Sequence, residues 1–132
     1  KKIKELSKQL NISDRILFIN ETDNVHYFMK KSQALVLTSL WEDPGFVIVE
    51  SGYNNCQVIS SNCPNGPSEI INNDGGYLFE SNSQLSLIST MKKFLENNKK
   101  NKNSKKIILK KRIKKFTSFH HRNKLFNDVL ND

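Results

Sequence analysis

An α/β fold, a parallel sheet with helices on both faces, is what this 132-residue sequence predicts. Three observations carry the prediction. Short apolar runs alternate with amphipathic segments at short spacing, the pattern of βαβ units with right-handed crossovers. Ala34-Leu35-Val36-Leu37-Thr38 is a continuous run of the kind that buried parallel strands show. Turn residues follow such runs, as in Asp43-Pro44-Gly45 and in Asn62-Cys63-Pro64-Asn65-Gly66-Pro67.

Each element has its own signal. Ile3, Leu6 and Leu10 recur at helical spacing, so Lys1 to Leu10 reads as a helix that Asn11 can end. Ile16-Leu17-Phe18-Ile19, bounded by polar residues, reads as a short strand. Val25, Phe28 and Met29 mark a short helix over Val25 to Lys31, and Ala34 to Thr38 is the next strand. Phe46 to Tyr53 is expected to be helical after the Pro-Gly turn, and Gln57-Val58-Ile59-Ser60-Ser61 to be a strand. Ser68 to Ile71 makes one helical turn, and Tyr77-Leu78-Phe79 a strand after Gly75-Gly76. Leu85, Leu87, Ile88, Met91, Phe94 and Leu95 line one side of an amphipathic helix over Ser83 to Asn97. An Asn/Lys linker to Asn103 separates it from two further helices, Ser104 to Phe116 and Ser118 to Leu130. A doubly wound half usually opens with a strand and a Gly-rich turn. This chain opens with a helix, so the first βα units are expected to lie upstream.

The length suits one domain, and no apolar stretch approaches the roughly 18–20 residues of a membrane span. Lys1-Lys2-Ile3-Lys4-Glu5-Leu6 has no apolar core of a signal peptide and reads as an internal cut in a longer chain. Cys56 and Cys63 are expected to be free thiols, which points to a reducing, cytoplasmic compartment. The net charge of +8 is concentrated between Lys92 and Lys115. A solvated helix face is the plain reading of that run, and contact with an anionic membrane surface is the functional one. Nucleic acid is not expected, because aromatics are not interleaved at stacking spacing and no nucleic-acid module signature is present.

The chemistry is expected where strands end and helices begin, because open α/β sheets bind ligands beyond their carboxyl ends. Glu42 stands there, just after the Ala34 to Thr38 strand. Glu50 lies eight residues further on, and at about 100° per helical residue it points within roughly 80° of Glu42. If the helix starts at Gly45, Glu42 is in the loop and both carboxylates can converge on one ligand. A carboxylate accepts hydrogen bonds from vicinal hydroxyls and so suits ribose or sugar diols. Two carboxylates can equally work as acid and base on a glycosidic bond, or simply be exposed helix-end glutamates. Gly45 lets a ligand approach the backbone, and the N–H groups at a helix start bind phosphate or sugar oxygens. The loop with Pro64, Asn65 and Gly66, followed by Glu69, should sit beside this one on the same edge. His26, His120 and His121 have no catalytic partners in the sequence pattern.

Taken together, Ser39-Leu40-Trp41-Glu42-Asp43-Pro44-Gly45-Phe46-Val47-Ile48-Val49-Glu50 resembles the E-x7-E motif of retaining, nucleotide-sugar-dependent glycosyltransferases of family 4. The segment from Gln57 to Ile71 resembles that family's "P-V-I-x-S-D-C-P-x-G-P-x-E-I-I", and Asp74 to Phe79 its "x-G-x-L-F" strand. The resemblance runs from about Ile16 to Leu95. It implies the later part of a GT-B C-terminal domain, Rossmann-like and ending in two helices. Residues 1–98 would be a partial nucleotide-sugar-binding domain and 99–132 a basic linker with C-terminal helices.

The resemblance also implies roles. Glu50 would bind the donor ribose. Glu42, the candidate catalytic residue, would lie close to the donor sugar, and Gly45, Phe46 and Val47 would meet sugar and phosphates. Pro64, Asn65, Gly66 and Glu69 would form a secondary loop near the cleft. No metal or cofactor is implied; the nucleotide sugar is a substrate. The implied partners are that donor, a glycan or lipid-linked acceptor and an N-terminal acceptor domain of the same chain. The implied place is the cytoplasm, with peripheral association at the inner face of the membrane as an option. The family's cationic pair for the donor diphosphate does not occur in this sequence. Asn62 stands where Asp is common, and Ser51-Gly52-Tyr53 replaces an Ala-rich segment. A GT-B nucleotide-sugar epimerase and a non-catalytic, basic nucleotide- or polyanion-binding module are the alternatives.

Overall fold

The computed structural model describes residues 2–72, 74–100 and 104–117, with isolated positions 124 and 127. Helix α1 spans Lys2–Gln9, a short 3-10 turn covers Ser13–Arg15, and α2 spans Val25–Lys31. Then follow β1 (Ala34–Leu37), α3 (Phe46–Tyr53), β2 (Gln57–Ser61), α4 (Pro67–Ile71) and β3 (Tyr77–Phe79). Helices α5 (Gln84–Lys99) and α6 (Ser104–Arg112) come next, followed by a 3-10 turn over Ile113–Phe116.

The three strands form one parallel sheet in the order β1-β2-β3. Ala34 faces Gln57 across the first pair, and Ile59 faces Tyr77 across the second. Successive side chains of a strand point to opposite faces, and here each face has its own core. Val58 joins Ile48 and Val49 of α3, Ile70 and Ile71 of α4, and Leu109 and Ile113 on one side. Ile59, Tyr77 and Phe79 join Phe94 of α5 on the other. Strand β2, the central strand, is buried along its whole length, including its polar residues Gln57, Ser60 and Ser61. The expected α/β layering is present, with helices on both faces of a parallel sheet.

Close backbone approach shapes the first face. A Cβ on Gly52 would stand 2.9 Å from Ile113 Cδ1 and 3.1 Å from Leu109 Cγ. Helix α3 can thus lie directly against α6 because residue 52 has no side chain. Helix α5 starts at a capped end, where the Ser83 hydroxyl accepts the Ser86 N–H at 3.3 Å.

The structure departs from the sequence reading at Ile16–Ile19. This run is not a strand. Leu17 is 79% exposed, and among the described residues no strand pairs with it. A strand exists only where a neighbour accepts its backbone hydrogen bonds, so an apolar run alone does not make one. The Ser104 to Phe116 helix also tightens into a 3-10 turn after Arg112. The helix expected over Ser118 to Leu130, with His120 and His121, lies outside the described residues. No described helix is long and apolar enough to cross a membrane.

Candidate functional site

The strands β1 and β2 end at one edge of the sheet, and the two turn-rich loops leave from there. In the first loop the chain runs from Leu37 to Gly45 and enters α3 at Phe46. Gly45 is the N-cap, with φ +82° and ψ 49°, the left-handed region that glycine adopts without strain. Having no side chain, it leaves the start of α3 uncapped, and the Ile48 N–H bonds back to the Gly45 carbonyl at 2.9 Å. The first N–H groups of a helix have no carbonyl partner within it and present partial positive charge. Phe46 and Val47 stand at that position. The condition set by the sequence, a helix starting at Gly45, is met, and Glu42 is in the loop.

Glu42 is half-buried and folds back over the turn. A Cβ built on Gly45 would stand 3.5 Å from Glu42 Oε2, so the carboxylate lies against the glycine that opens the helix. Glu50, also half-buried, is the fifth residue of α3. Phe46, Glu50 and Tyr53 recur at i, i+4 and i+7 and share one helix face. Phe46 and Tyr53 are both exposed, while Ile48, Val49, Ser51 and Gly52 are buried on the other side. Glu50 therefore belongs to the outward face of α3.

The second loop is bonded to the first. The Glu42 N–H donates to the Pro64 carbonyl at 3.3 Å. The Ser61 hydroxyl, at the end of β2, donates to the Ser39 carbonyl at 2.5 Å. Asn65 and Gly66 both have positive φ, +62° and +112°, and carry the chain into Pro67, the first residue of α4. Gly66 is buried against the backbone of Pro44. Pro64, Asn65 and Glu69 are exposed beside it. The structure thus brings Glu42, Gly45 and Pro64 to Gly66 into one neighbourhood.

Two contacts were missed by the sequence reading. Asn54 closes the C-terminal end of α3: its backbone N–H and its Nδ2 both donate to the Glu50 carbonyl, at 3.1 and 2.8 Å. The same Nδ2 lies 2.8 Å from His26 Nδ1, which ties the helix carrying Glu50 to α2. The second contact is the Gly66–Pro44 packing. Its sequence signal was the Asn65-Gly66 pair, a dipeptide that tolerates positive φ, but the packing partner could not be read from it. Cys56 and Cys63 are both free and buried. Among the described residues, no group of three His, Cys, Asp or Glu side chains comes together in a way that could hold a metal ion.

Chemically, this edge offers the Glu42 carboxylate, the N–H groups at the start of α3 and exposed aromatic surface from Trp41 and Phe46, with Glu50 one turn into the helix on its outward face. Such a set can accept hydroxyl hydrogen bonds and donate to an anion.

The family model of glycosyl transferases group 1 matches residues 1–111. An uncharacterized glycosyltransferase of Methanocaldococcus jannaschii is 34% identical over 70 residues, 53% of this chain and 17% of that protein. The N-acetylgalactosamine-N,N'-diacetylbacillosaminyl-diphospho-undecaprenol 4-alpha-N-acetylgalactosaminyltransferase of Campylobacter jejuni is 29% identical over 95 residues. That match covers 71% of this chain and 26% of the relative, so the chain spans about a quarter or less of the length of these two proteins. Among solved structures, Anabaena HepE in complex with UDP superposes with a TM-score of 0.83 at 17% identity, over 98% of this chain and 36% of that one.

Proposed function

The chain belongs to the glycosyl transferases group 1 family, with the fold of the GT-B C-terminal domain, and from that premise we propose that its carboxyl-edge crevice holds the nucleotide-sugar donor of a retaining hexosyl transfer. The observation that carries the reading is the arrangement around α3: Glu42 folded over Gly45 at the helix start, and Glu50 on the outward face one turn beyond Phe46.

In this reading Glu50 accepts the ribose hydroxyls, a bidentate contact that a carboxylate makes well. The N–H groups of Phe46 and Val47 meet the diphosphate. Glu42 lies by the sugar, where positive charge grows on the anomeric carbon as the C–O bond to the diphosphate breaks. A fixed carboxylate there stabilises that charge. Pro64, Asn65, Gly66 and Glu69 form the wall of the crevice and hold the Glu42 loop through the Pro64 carbonyl.

The acceptor would be a glycan or a lipid-linked saccharide, engaged by an N-terminal domain of the whole protein. The Campylobacter relative's diphospho-undecaprenol acceptor supports the lipid-linked class, and the UDP complex of HepE supports a nucleoside diphosphate donor. Residues 1–98 would serve the donor and 99–132 the basic surface. The whole protein would work in the cytoplasm, at the inner face of the membrane. The two free buried thiols suit a reducing compartment.

Titration with UDP and a panel of nucleotide sugars tests the proposal. Glu50→Ala should abolish binding to the wild-type chain's ligand. If the chain were instead a basic polyanion-binding module, Glu50→Ala would leave binding unchanged, and added salt would weaken it steeply.

A further inference from the structure

A cavity lies away from the carboxyl edge of the sheet. It has a volume of about 280 Å³ and is lined by Gly76, Tyr77, Leu78, Thr90, Lys93 and Lys105. Strand β3 is last in the sheet order, so one of its edges has no described neighbour. The cavity lies along β3, with α5 supplying Thr90 and Lys93 and the start of α6 supplying Lys105. Gly76 and Tyr77 are at the beginning of β3, and in a parallel sheet that is the end opposite to Glu42 and Gly66.

Of the two cationic groups, Lys105 is held against a ring, and Lys93 is an exposed side chain of α5 at the cavity. The Lys105 ammonium sits 5.0 Å from the centroid of the Tyr77 ring. That ring is fixed edge-to-face against Phe94 at 5.7 Å, and its hydroxyl accepts a hydrogen bond from Asn97 Nδ2 at 3.3 Å. Burial makes Lys105 costlier to charge, and repulsion from Lys93 adds to that cost. Asp74 attracts Lys105, but its carboxylate is also ion-paired with Arg112 at 2.8 Å. Between residues 92 and 115 the only acidic side chain is Glu96. Two ammonium groups that line one cavity both attract an anion placed between them.

We propose that this cavity is a binding site for a phosphate group, held by Lys93 and Lys105 with the Thr90 hydroxyl as a further donor. A phosphate fits better than a single carboxylate because it carries up to two charges and three strong acceptor oxygens. The phosphate can belong to a soluble molecule or to a lipid headgroup, and the two sources are separable by experiment. The site does not depend on the donor reading, since none of its residues lies at the carboxyl edge.

The test uses two probes on the 132-residue chain at low salt: inorganic pyrophosphate in solution, and vesicles of phosphatidylglycerol against vesicles of phosphatidylcholine. Binding to pyrophosphate alone, with the Thr90 and Tyr77 amides moving, assigns a soluble phosphate, and binding to the anionic vesicles alone or as well assigns a headgroup; pyrophosphate that moves only the Phe46 and Val47 amides is donor-site binding and counts against this site. The double variant Lys93→Gln/Lys105→Gln should then lose at least about tenfold in affinity. Lys92→Gln/Lys111→Gln removes the same charge from exposed positions outside the cavity and should stay within about twofold of wild type. Amide shifts of Thr90 and Tyr77 in the wild-type chain on adding pyrophosphate or a soluble short-chain phosphatidylglycerol provide a readout that does not require the double variant to fold. Equal losses from both pairs, unmoved Thr90 and Tyr77 amides, or no binding of either probe would overturn the proposal.

Discussion

Gly66 and Pro44 meet so closely that a Cβ on Gly66 would stand 1.8 Å from the Pro44 carbonyl oxygen. The contact joins the two loops at the carboxyl edge, so the position of Glu42 depends on a residue 24 places further along the chain. Gly66 also has φ +112°, a conformation that side chains rarely adopt. Gly66→Ala should therefore cost roughly 2 kcal/mol or more of stability, from strain and from the displaced loop. A urea titration measures it, and a loss below about 0.5 kcal/mol would show that the loops are not locked in this way.

Glu42 should matter to the sugar more than to the fold. It is half-buried at a loop, and its backbone N–H makes its bond to the Pro64 carbonyl whatever its side chain is. Glu42→Gln keeps the shape and removes the charge. In the whole protein it should lower kcat by about 10²-fold or more while KM for the donor moves little, the pattern expected of an interaction made in the transition state. Thermal melting should be unchanged. A rise in KM alone would mean that Glu42 only binds.

Turnover by the chain alone should be undetectable. A departing diphosphate needs positive charge or aligned N–H groups. The α3 start supplies N–H groups, but neither loop, residues 38–45 or 62–66, contains Lys or Arg. Release of UDP from UDP-sugars, followed over hours, checks this. A measurable rate from the 132-residue chain would contradict it.

Helix α6 should be part of the folded core and not an appendage. Leu109 and Ile113 are fully buried among Ile48, Val58, Ile70 and Ile71. Leu109→Ala should destabilise by about 2–5 kcal/mol, from lost burial plus the cavity left behind. Lys114→Ala, exposed beside it, should stay within about 0.5 kcal/mol. Equal, small effects in a chemical denaturation series would mean that α6 is not packed as described.

Stability should depend on pH through Lys105. Burial first, and repulsion from Lys93 second, hold its pKa below the usual 10.5, with Asp74 acting the other way. When a lysine's folded pKa lies below its unfolded value, the unfolded chain binds more protons between the two. The cost is fully present below the folded pKa and is released as pH rises toward 10.5. Wild type should therefore gain stability relative to Lys105→Gln as pH rises through that window. A difference between the two that does not vary with pH would contradict the assignment. A bound phosphate at the Lys93–Lys105 cavity should shift the window upward.

Much of this was legible in the residues. The runs at Ala34–Leu37, Gln57–Ser61 and Tyr77–Phe79 became strands because helices cover both faces of a sheet that stacks all three. Pro44-Gly45 placed the start of α3 to the residue, since glycine at positive φ is a strong local signal. Ile16–Ile19 misled because a strand is a property of a pair, and a run of apolar residues says nothing of its neighbour. The Gly66–Pro44 contact, the Asn54 bonds to Glu50 and the Lys93–Lys105 cavity were hidden for the same reason. Each depends on how distant segments meet in space, and the pattern along one segment does not encode that.

Saturation-transfer NMR with UDP and UDP-sugars on the wild-type chain and on Glu50→Gln tests the donor site most directly. The account predicts transfer to the ribose protons from the wild-type chain and its loss in Glu50→Gln, which keeps the side chain's shape but not its paired acceptors. Ribose transfer that is equal in the two proteins, or absent from wild type across the panel, would contradict it.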